Sequence, residues 1–338
     1  MSSEPTDAST RGLAFASDPE ISSYLGPDDL MRQLREDALA GLTAENKSIP
    51  SKWFYDERGS GLFDRITRLP EYYLTRAEKQ ILVDRAGAIA GLTGAGTLIE
   101  LGSGTSEKTR LLLDAARRTG FLRRIVPFDV DEATLKVAAR ELAVRYPEVE
   151  VAGLVGDFER HLDAIAMPGR KLVILLGSTI GNLDPAGRAR LLADLSDNLE
   201  PGDSFLLGVD LVKAAGDIEA AYNDSAGISA EFNLNVLRVL NHRLDGDFNL
   251  DRFEHVASFD PTSEQMRMWL RSTTEQQVSL RAIDLRVTFG SSELLHTEIS
   301  TKFRRTGIER ELSSAGLKPA QWWTDRAGRF GLSLSVRL

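Results

Sequence analysis

The run Glu100-Leu101-Gly102-Ser103-Gly104-Thr105 follows directly on the apolar segment TLIEL (97–101) and precedes a stretch with helical spacing. Glycine lets a backbone turn tightly and approach a ligand closely, and the helix behind it presents free N–H groups. The pattern is not a full G-x-G-x-x-G, since Glu107 occupies the third glycine's place. Taken alone it also fits an ordinary strand-to-helix turn. Asp129 closes a second β-rich run, where a carboxylate can accept both hydroxyls of a ribose; Asp131 is the better candidate to cap the helix that follows. Gly156-Asp157-Phe158 closes a third run and offers an acceptor for an adenine amino group with a ring to stack on it. Three such tips on one sheet edge describe a nucleoside-binding crevice.

The fourth run ends in Gly177-Ser178-Thr179-Ile180-Gly181-Asn182, whose small residues leave room for a ligand. Asn182 fits two roles, a polar contact or the cap of the next helix. The aromatic clusters Trp53-Phe54-Tyr55 and Tyr72-Tyr73 fit packing, or hydroxyls lining a cleft. In LLHTEISTKF, alternation puts His296, Glu298, Ser300 and Lys302 on one face and Leu295, Ile299 and Phe303 on the other. In QMRMWL, Met266, Met268 and Leu270 share a face that fits a core or a ligand wall.

These residues need elements to hold them. From about residue 97, β-rich runs alternate with amphipathic stretches: TLIEL, RIVPFDV (124–130), VEVAGLV (149–155), KLVILLG (171–177) and SFLLGVD, with helices to about Arg118, over 131–146 and from about Pro185 to Leu199. That predicts an open, doubly wound, mostly parallel α/β sheet. After Asp210 some thirty residues read as helix without a strand, followed by period-2 segments, a helix near 306–315 and two last strands at KPAQWWT and GLSLSVRL. The expected domains are a tail over 1–20, a sheet domain over 76–212 plus 302–338, and a smaller α+β substrate domain over 21–75 plus 213–301.

Composition narrows the function. The 338 residues are 42% apolar, and 50 acidic against 41 basic residues give a net charge of −9, the wrong sign for wrapping nucleic acid or lying on an anionic membrane. With no cysteine there is no disulfide, iron–sulfur or thiol chemistry, and the four histidines show no ligand spacing for a metal. No apolar stretch approaches the roughly 20 residues of a membrane span, and the first 20 residues lack a signal peptide's basic start and apolar core. The expectation is a cytoplasmic chain with a small-molecule partner.

At the scale of whole motifs, KSIPSKWFYDERGSGLFDRITRLPEYYLTRAE, LIELGSGTSEKTRLLLDA, VPFDVD, GDFERHL, LLGSTIGNL, EHVASF and HTEISTKF resemble the L-histidine Nα-methyltransferases of ergothioneine biosynthesis. The likeness runs from about Tyr24 to the C-terminus; the longer acidic N-terminal tail departs from it and touches no site residue. It implies a Rossmann-like class I methyltransferase domain with a family-specific substrate domain, S-adenosyl-L-methionine as cofactor (S-adenosyl-L-homocysteine as product), and trimethylation of the α-amino group of L-histidine to hercynine. The cofactor contacts it implies are Tyr55, Gly102, Lys108, Asp129, Asp157, Phe158 and Gly177. For histidine it implies Tyr72 and Asn182 at the α-amino group, Tyr222 with Asn182 at the carboxylate, Glu298 with Ser300 at the imidazole, and Met268 beside the ring. A monomer, without metal, nucleic acid or membrane, is expected, its partners being histidine and its mono- and dimethyl forms. Three competitors remain at this point: a related methyltransferase for another amino acid, a nicotinamide dehydrogenase, and a non-catalytic nucleoside-binding module.

Overall fold

A computed structural model describes residues 19–26, 28–104 and 106–338. In chain order it holds β1 (Glu20–Ser23), α1 (Asp29–Thr43), α2 (Glu57–Ile66), α3 (Leu74–Thr93), β2 (Thr97–Leu101), α4 (Thr109–Thr119), β3 (Arg124–Asp129), α5 (Glu132–Arg145), β4 (Glu150–Val155), β5 (Lys171–Leu175), α6 (Pro185–Asp197) and β6 (Ser204–Asp210). Then come α7 (Ala215–Tyr222), α8 (Ile228–Arg243), β7 (Phe253–Asp260), β8 (Gln265–Ser272), β9 (Gln276–Leu280), β10 (Leu285–Phe289), β11 (Leu294–Thr301), α9 (Arg305–Ser314), β12 (Leu317–Thr324) and β13 (Phe330–Arg337).

The large sheet runs β1-β4-β3-β2-β5-β6-β13-β12, parallel except for β13, which is antiparallel to both β6 and β12. This is the Rossmann-like class I methyltransferase arrangement, and the strand order reverses direction between β2 and β5. Every residue of β2, β5 and β6 is buried, which is why these strands read as mostly apolar on both faces and not as alternating segments. Alternate side chains feed two cores. Leu98, Ile125, Leu172 and Leu206 join the core that also takes in α3, α4, α8 and the smaller sheets, while Ile99, Val126, Val173 and Phe205 pack with α6 and α9.

Several expectations change. The tail expected over 1–20 lies outside the described residues up to 18, and Glu20 already opens β1, which pairs in parallel with β4 on the large sheet instead of joining the substrate-side layer. The thirty-residue helix is two helices. Between them Asp224 accepts from the backbone N–H groups of Ile228 (3.0 Å) and Ser229 (2.7 Å), and Gly227 takes a left-handed φ of +71°, so the chain turns before α8. The period-2 region splits into a three-stranded sheet, β11-β8-β7, and a separate β9–β10 hairpin.

Candidate active site

The C-terminal ends of the parallel strands carry the first half of the site. Gly102 and Gly104, just past β2, have φ of +67° and +48°, and Gly177, just past β5, has +76°. A side chain at any of the three would be strained. They flank the point where strand order reverses, which is where open α/β sheets bind ligands. Asp129, at the tip of β3, folds the glycine loop toward itself by accepting from Gly104 N–H at 2.8 Å, and it accepts from Asp131 N–H at 3.1 Å. Burial pushes its carboxyl above the usual range against those two bonds. Asp131 caps α5, as expected. The Phe158 ring lies over Gly102, so that a Cβ there would sit 3.7 Å from the ring, whereas no described atom comes within 4 Å of a Cβ at Gly104. Asp157 is buried, and its carboxylate accepts from Glu159 N–H at 2.9 Å.

Three acids organise this edge; Glu78 and Asp210 do not stand out in the sequence, and Glu100 does so only as the first residue of the glycine run. Glu78 of α3, fully buried, receives Lys108 Nζ and, at 2.8 Å, the N–H of Gly177, and so ties both to one carboxylate. It occupies the apolar stripe of its helix with Leu74, Ile81 and Leu82, which is the signal that could have found it. Glu100 accepts from Ser106 Oγ (2.6 Å) and Thr109 Oγ1, joining strand end to helix start; burial outweighs those bonds and pushes it up to about 7. Asp210, at the tip of β6 and fully buried, accepts from Tyr73 (2.8 Å), Lys213 (2.6 Å) and Lys302 (3.0 Å).

The second half comes from the segments on either side of the sheet strands. Tyr55 follows a short 3-10 turn and packs edge-on against Phe63 and Phe232. Tyr72 lies edge-on to Tyr222, with ring centroids 6.5 Å apart. Burial raises the pKa of Tyr72 and Tyr222, so both remain neutral hydroxyls, while Tyr55 stays partly exposed. Asn182 ends the 3-10 turn after β5 and does not cap α6. Asp184 does so, accepting from Gly187 N–H at 2.6 Å ahead of Pro185. Gly181 beside it is needed for close approach, because a Cβ there would meet the Thr301 carbonyl oxygen at 2.8 Å; this brings Asn182 next to the end of β11.

The simple alternation expected for β11 fails. A bulge between His296 and Glu298 inserts Thr297, so His296 pairs with Trp269 while Leu295, Glu298 and Ser300 pair with Leu270, Met268 and Met266. His296 therefore leaves the face of Glu298 and Ser300, its ring meeting Trp269 at 5.9 Å, and Leu295 joins that face instead. Met266, Met268 and Leu270 are all buried; Met268 is at once core and the direct neighbour of Glu298. Burial pushes the Glu298 carboxyl up to about 7, opposed by the charge of Lys302. Ser300 Oγ lies 2.8 Å from Tyr222 Oη.

The residues fit a nucleoside with a sulfonium side chain. The Asp129 carboxylate can accept from ribose hydroxyls, and the Phe158 ring can offer a stacking face. The strained glycines leave backbone room, and Ser103 Oγ, buried in the loop, has no partner among the described residues. The profile of the family described as "Histidine-specific methyltransferase, SAM-dependent" matches residues 34–337. The chain belongs to this family. As a member of the histidine-specific methyltransferases it is 55% identical over 317 residues to the histidine N-alpha-methyltransferase of Mycolicibacterium smegmatis, covering 94% of this chain and 99% of that one. It is 51% identical, with the same coverage, to the histidine N-alpha-methyltransferase of Mycobacterium tuberculosis. A Neurospora crassa protein named ergothioneine biosynthesis protein 1 is 31% identical over 94% of this chain and 35% of its own length.

Proposed function

We propose that this methyltransferase transfers three methyl groups in succession to the α-amino nitrogen of L-histidine, giving hercynine, as a step toward ergothioneine. The observation that carries the substrate choice is the pair Glu298, half-buried, and Ser300, buried, on one face of β11 beside Met268. A carboxyl and a hydroxyl at that spacing can meet the two nitrogens of one imidazole. An apolar side chain would leave the Glu298 carboxyl without a partner, and an indole, with one N–H and no acceptor nitrogen, could not serve both groups, which argues against those side chains.

The cofactor residues are Tyr55, Gly102, Lys108, Asp129, Asp157, Phe158 and Gly177; the substrate residues are Tyr72, Asn182, Tyr222, Met268, Glu298 and Ser300. In this division 76–212 plus 302–338 hold the cofactor, and 21–75 plus 213–301 contribute most of the amino-acid pocket, without the β1 strand. S-adenosyl-L-methionine, when bound, supplies an already activated sulfonium methyl. The protein's task is then positioning. Asn182 and Tyr222 clamp the carboxylate, Glu298 and Ser300 hold the ring, and Tyr72 with Asn182 orients the amine lone pair. The amine must be unprotonated to attack, and the substrate's own carboxylate stabilises its ammonium form, so the proton must be given up before each transfer. Burial keeps the tyrosines protonated at working pH, so they act as hydrogen-bonding groups and not as anionic bases.

The test is incubation with methyl-labelled S-adenosylmethionine and a panel of free amino acids, followed by mass and fragment analysis. Histidine is expected to gain one, two and then three methyl groups on the α-nitrogen. Label on the ring, or on another amino acid in preference, would refute the assignment.

A further inference from the structure

Lys302, just beyond β11, is fully buried and takes no part in the reading above. Its three N–H donors are all engaged: Tyr222 Oη at 2.9 Å, Ser300 Oγ at 2.8 Å and Asp210 Oδ2 at 3.0 Å. Tyr222 and Ser300 are also bonded to each other at 2.8 Å. Each hydroxyl has one proton and two acceptor positions. Lys302 fills one acceptor position on both, and the mutual bond consumes one of the two protons. One O–H donor and one lone pair remain for the pocket, and they sit on different residues. If Tyr222 donates outward, Ser300 must donate to Tyr222 and presents a lone pair. If Ser300 donates outward, the roles reverse.

We propose that Lys302 is a positioning residue that locks Tyr222 and Ser300 into this one-donor relay, so that engaging the substrate carboxylate fixes which hydrogen bond the imidazole receives. The proposal rests on the histidine-binding reading. A carboxylate requires a donor from Tyr222, which leaves Ser300 as an acceptor for a ring N–H. The other ring nitrogen then faces Glu298, and that pair holds one proton, either as carboxylate with imidazolium or as carboxyl with neutral imidazole. A ring without a carboxylate lets the relay reverse: Ser300 donates to one ring nitrogen and ionised Glu298 accepts from the other, with no added proton.

The network keeps the charges this requires. Burial alone would lower the pKa of Lys302, but Tyr222 and Asp210 outweigh it, so the ammonium persists, while Tyr222 stays neutral. Asp210 is held as the counter-charge by Tyr73 and Lys213. The ionisable groups facing Glu298 are Lys302 on its own strand segment, Tyr55 after the 3-10 turn, Tyr72 before α3 and Tyr222 of α7.

The test is calorimetry at pH 8 in buffers of different ionisation heat, on protein saturated with S-adenosylhomocysteine. The probes are 3-(imidazol-4-yl)propionate, which has ring and carboxylate but no amine, and 4-ethylimidazole, which has the ring alone. With Glu298 near 7 and free imidazole near 6.5, the carboxylate ligand should take up about one proton on binding and the other close to none. In Lys302→Met, which removes the shared donor that holds the two oxygens together, the mutual bond is free to break and Ser300 can donate to the ring with either ligand, so the two ligands should give the same count, and S-adenosylhomocysteine affinity should stay within about threefold. Should that variant not fold, Tyr222→Phe removes the relay's far end and predicts the same equality. Equal counts in the wild type, or a difference that survives in the variant, would overturn the relay. Failure of either probe to bind the loaded wild type would refute the histidine pocket itself, a distinguishable result.

Discussion

The two halves of the site are built differently. At the sheet edge, groups come from backbone turns and single carboxylates at consecutive strand ends: Gly102, Asp129, Asp157 and Gly177 each follow or end their own strand, in chain order. On the amino-acid side, Tyr72, Asn182, Tyr222, Met268 and Ser300 come from five separate segments, and two of them, Tyr222 and Ser300, are joined through a buried network with two lysines around Asp210. A nucleoside is recognised by features that any strand-to-helix turn can supply, so that half needs little beyond the fold. An amino acid presents opposite charges and a ring within a few ångströms, and recognising it takes buried charges that must be satisfied within the protein.

If this contrast is right, substitutions on the amino-acid side change selectivity and those on the sheet edge change affinity. The largest effect is expected for Glu298→Ala with Met268→Val, which removes the unpaired-acid penalty and widens the pocket. The ratio of specificity constants for histidine over tryptophan should fall by about 10³-fold or more, within the range available to sites that reject ligands by stranded polar groups. An unaltered ratio would remove Glu298 from the pocket. Next is Asp129→Ala, where loss of a charged acceptor should weaken S-adenosylhomocysteine by about 1.5–3 kcal/mol, seen by calorimetric titration, with no change in amino-acid preference.

A smaller effect separates the halves by pH. Glu298 has its carboxyl raised to about 7, so the folded protein holds that proton more tightly than the unfolded chain does. Its burial is harmless below the unfolded value near 4.3 and increasingly destabilising as pH rises from there to about 7. Glu298→Gln should therefore stabilise the ligand-free protein at pH 8 relative to pH 5, by on the order of 2 kcal/mol, measured by denaturant unfolding at both pH values. A pH-independent difference would mean the acid is solvated. The smallest expected change is in stability for Asn182→Ala, within about 0.5 kcal/mol, since Asp184 caps α6; Asp184→Ala should cost about 1 kcal/mol. The same Asn182 variant should nevertheless raise the Michaelis constant for histidine.

The contrast also governs what the sequence disclosed. Strand-end groups are legible because an apolar run, a glycine turn and a carboxylate stand next to one another, and the boundaries of β2, β3, β4 and β6 fall within a residue or two of expectation. The bulge at Thr297 was not legible: it depends on how β11 meets β8 far away in the chain, and it exchanged His296 for Leu295 on the pocket face. Lys302, Lys213 and Asp210 look like ordinary polar residues at strand ends, and only their mutual burial reveals a network. The β1 strand is four residues long and pairs with β4, more than a hundred residues away, so no local pattern announces it.

The account is tested most directly by a crystal structure of the protein with S-adenosylhomocysteine and N,N-dimethylhistidine. It predicts the ribose hydroxyls on Asp129, the imidazole between Glu298 and Ser300, the carboxylate on Asn182 and Tyr222, and the dimethylated nitrogen turned toward the cofactor sulfur. An imidazole turned toward that sulfur, or an amino acid bound away from β11, would contradict it.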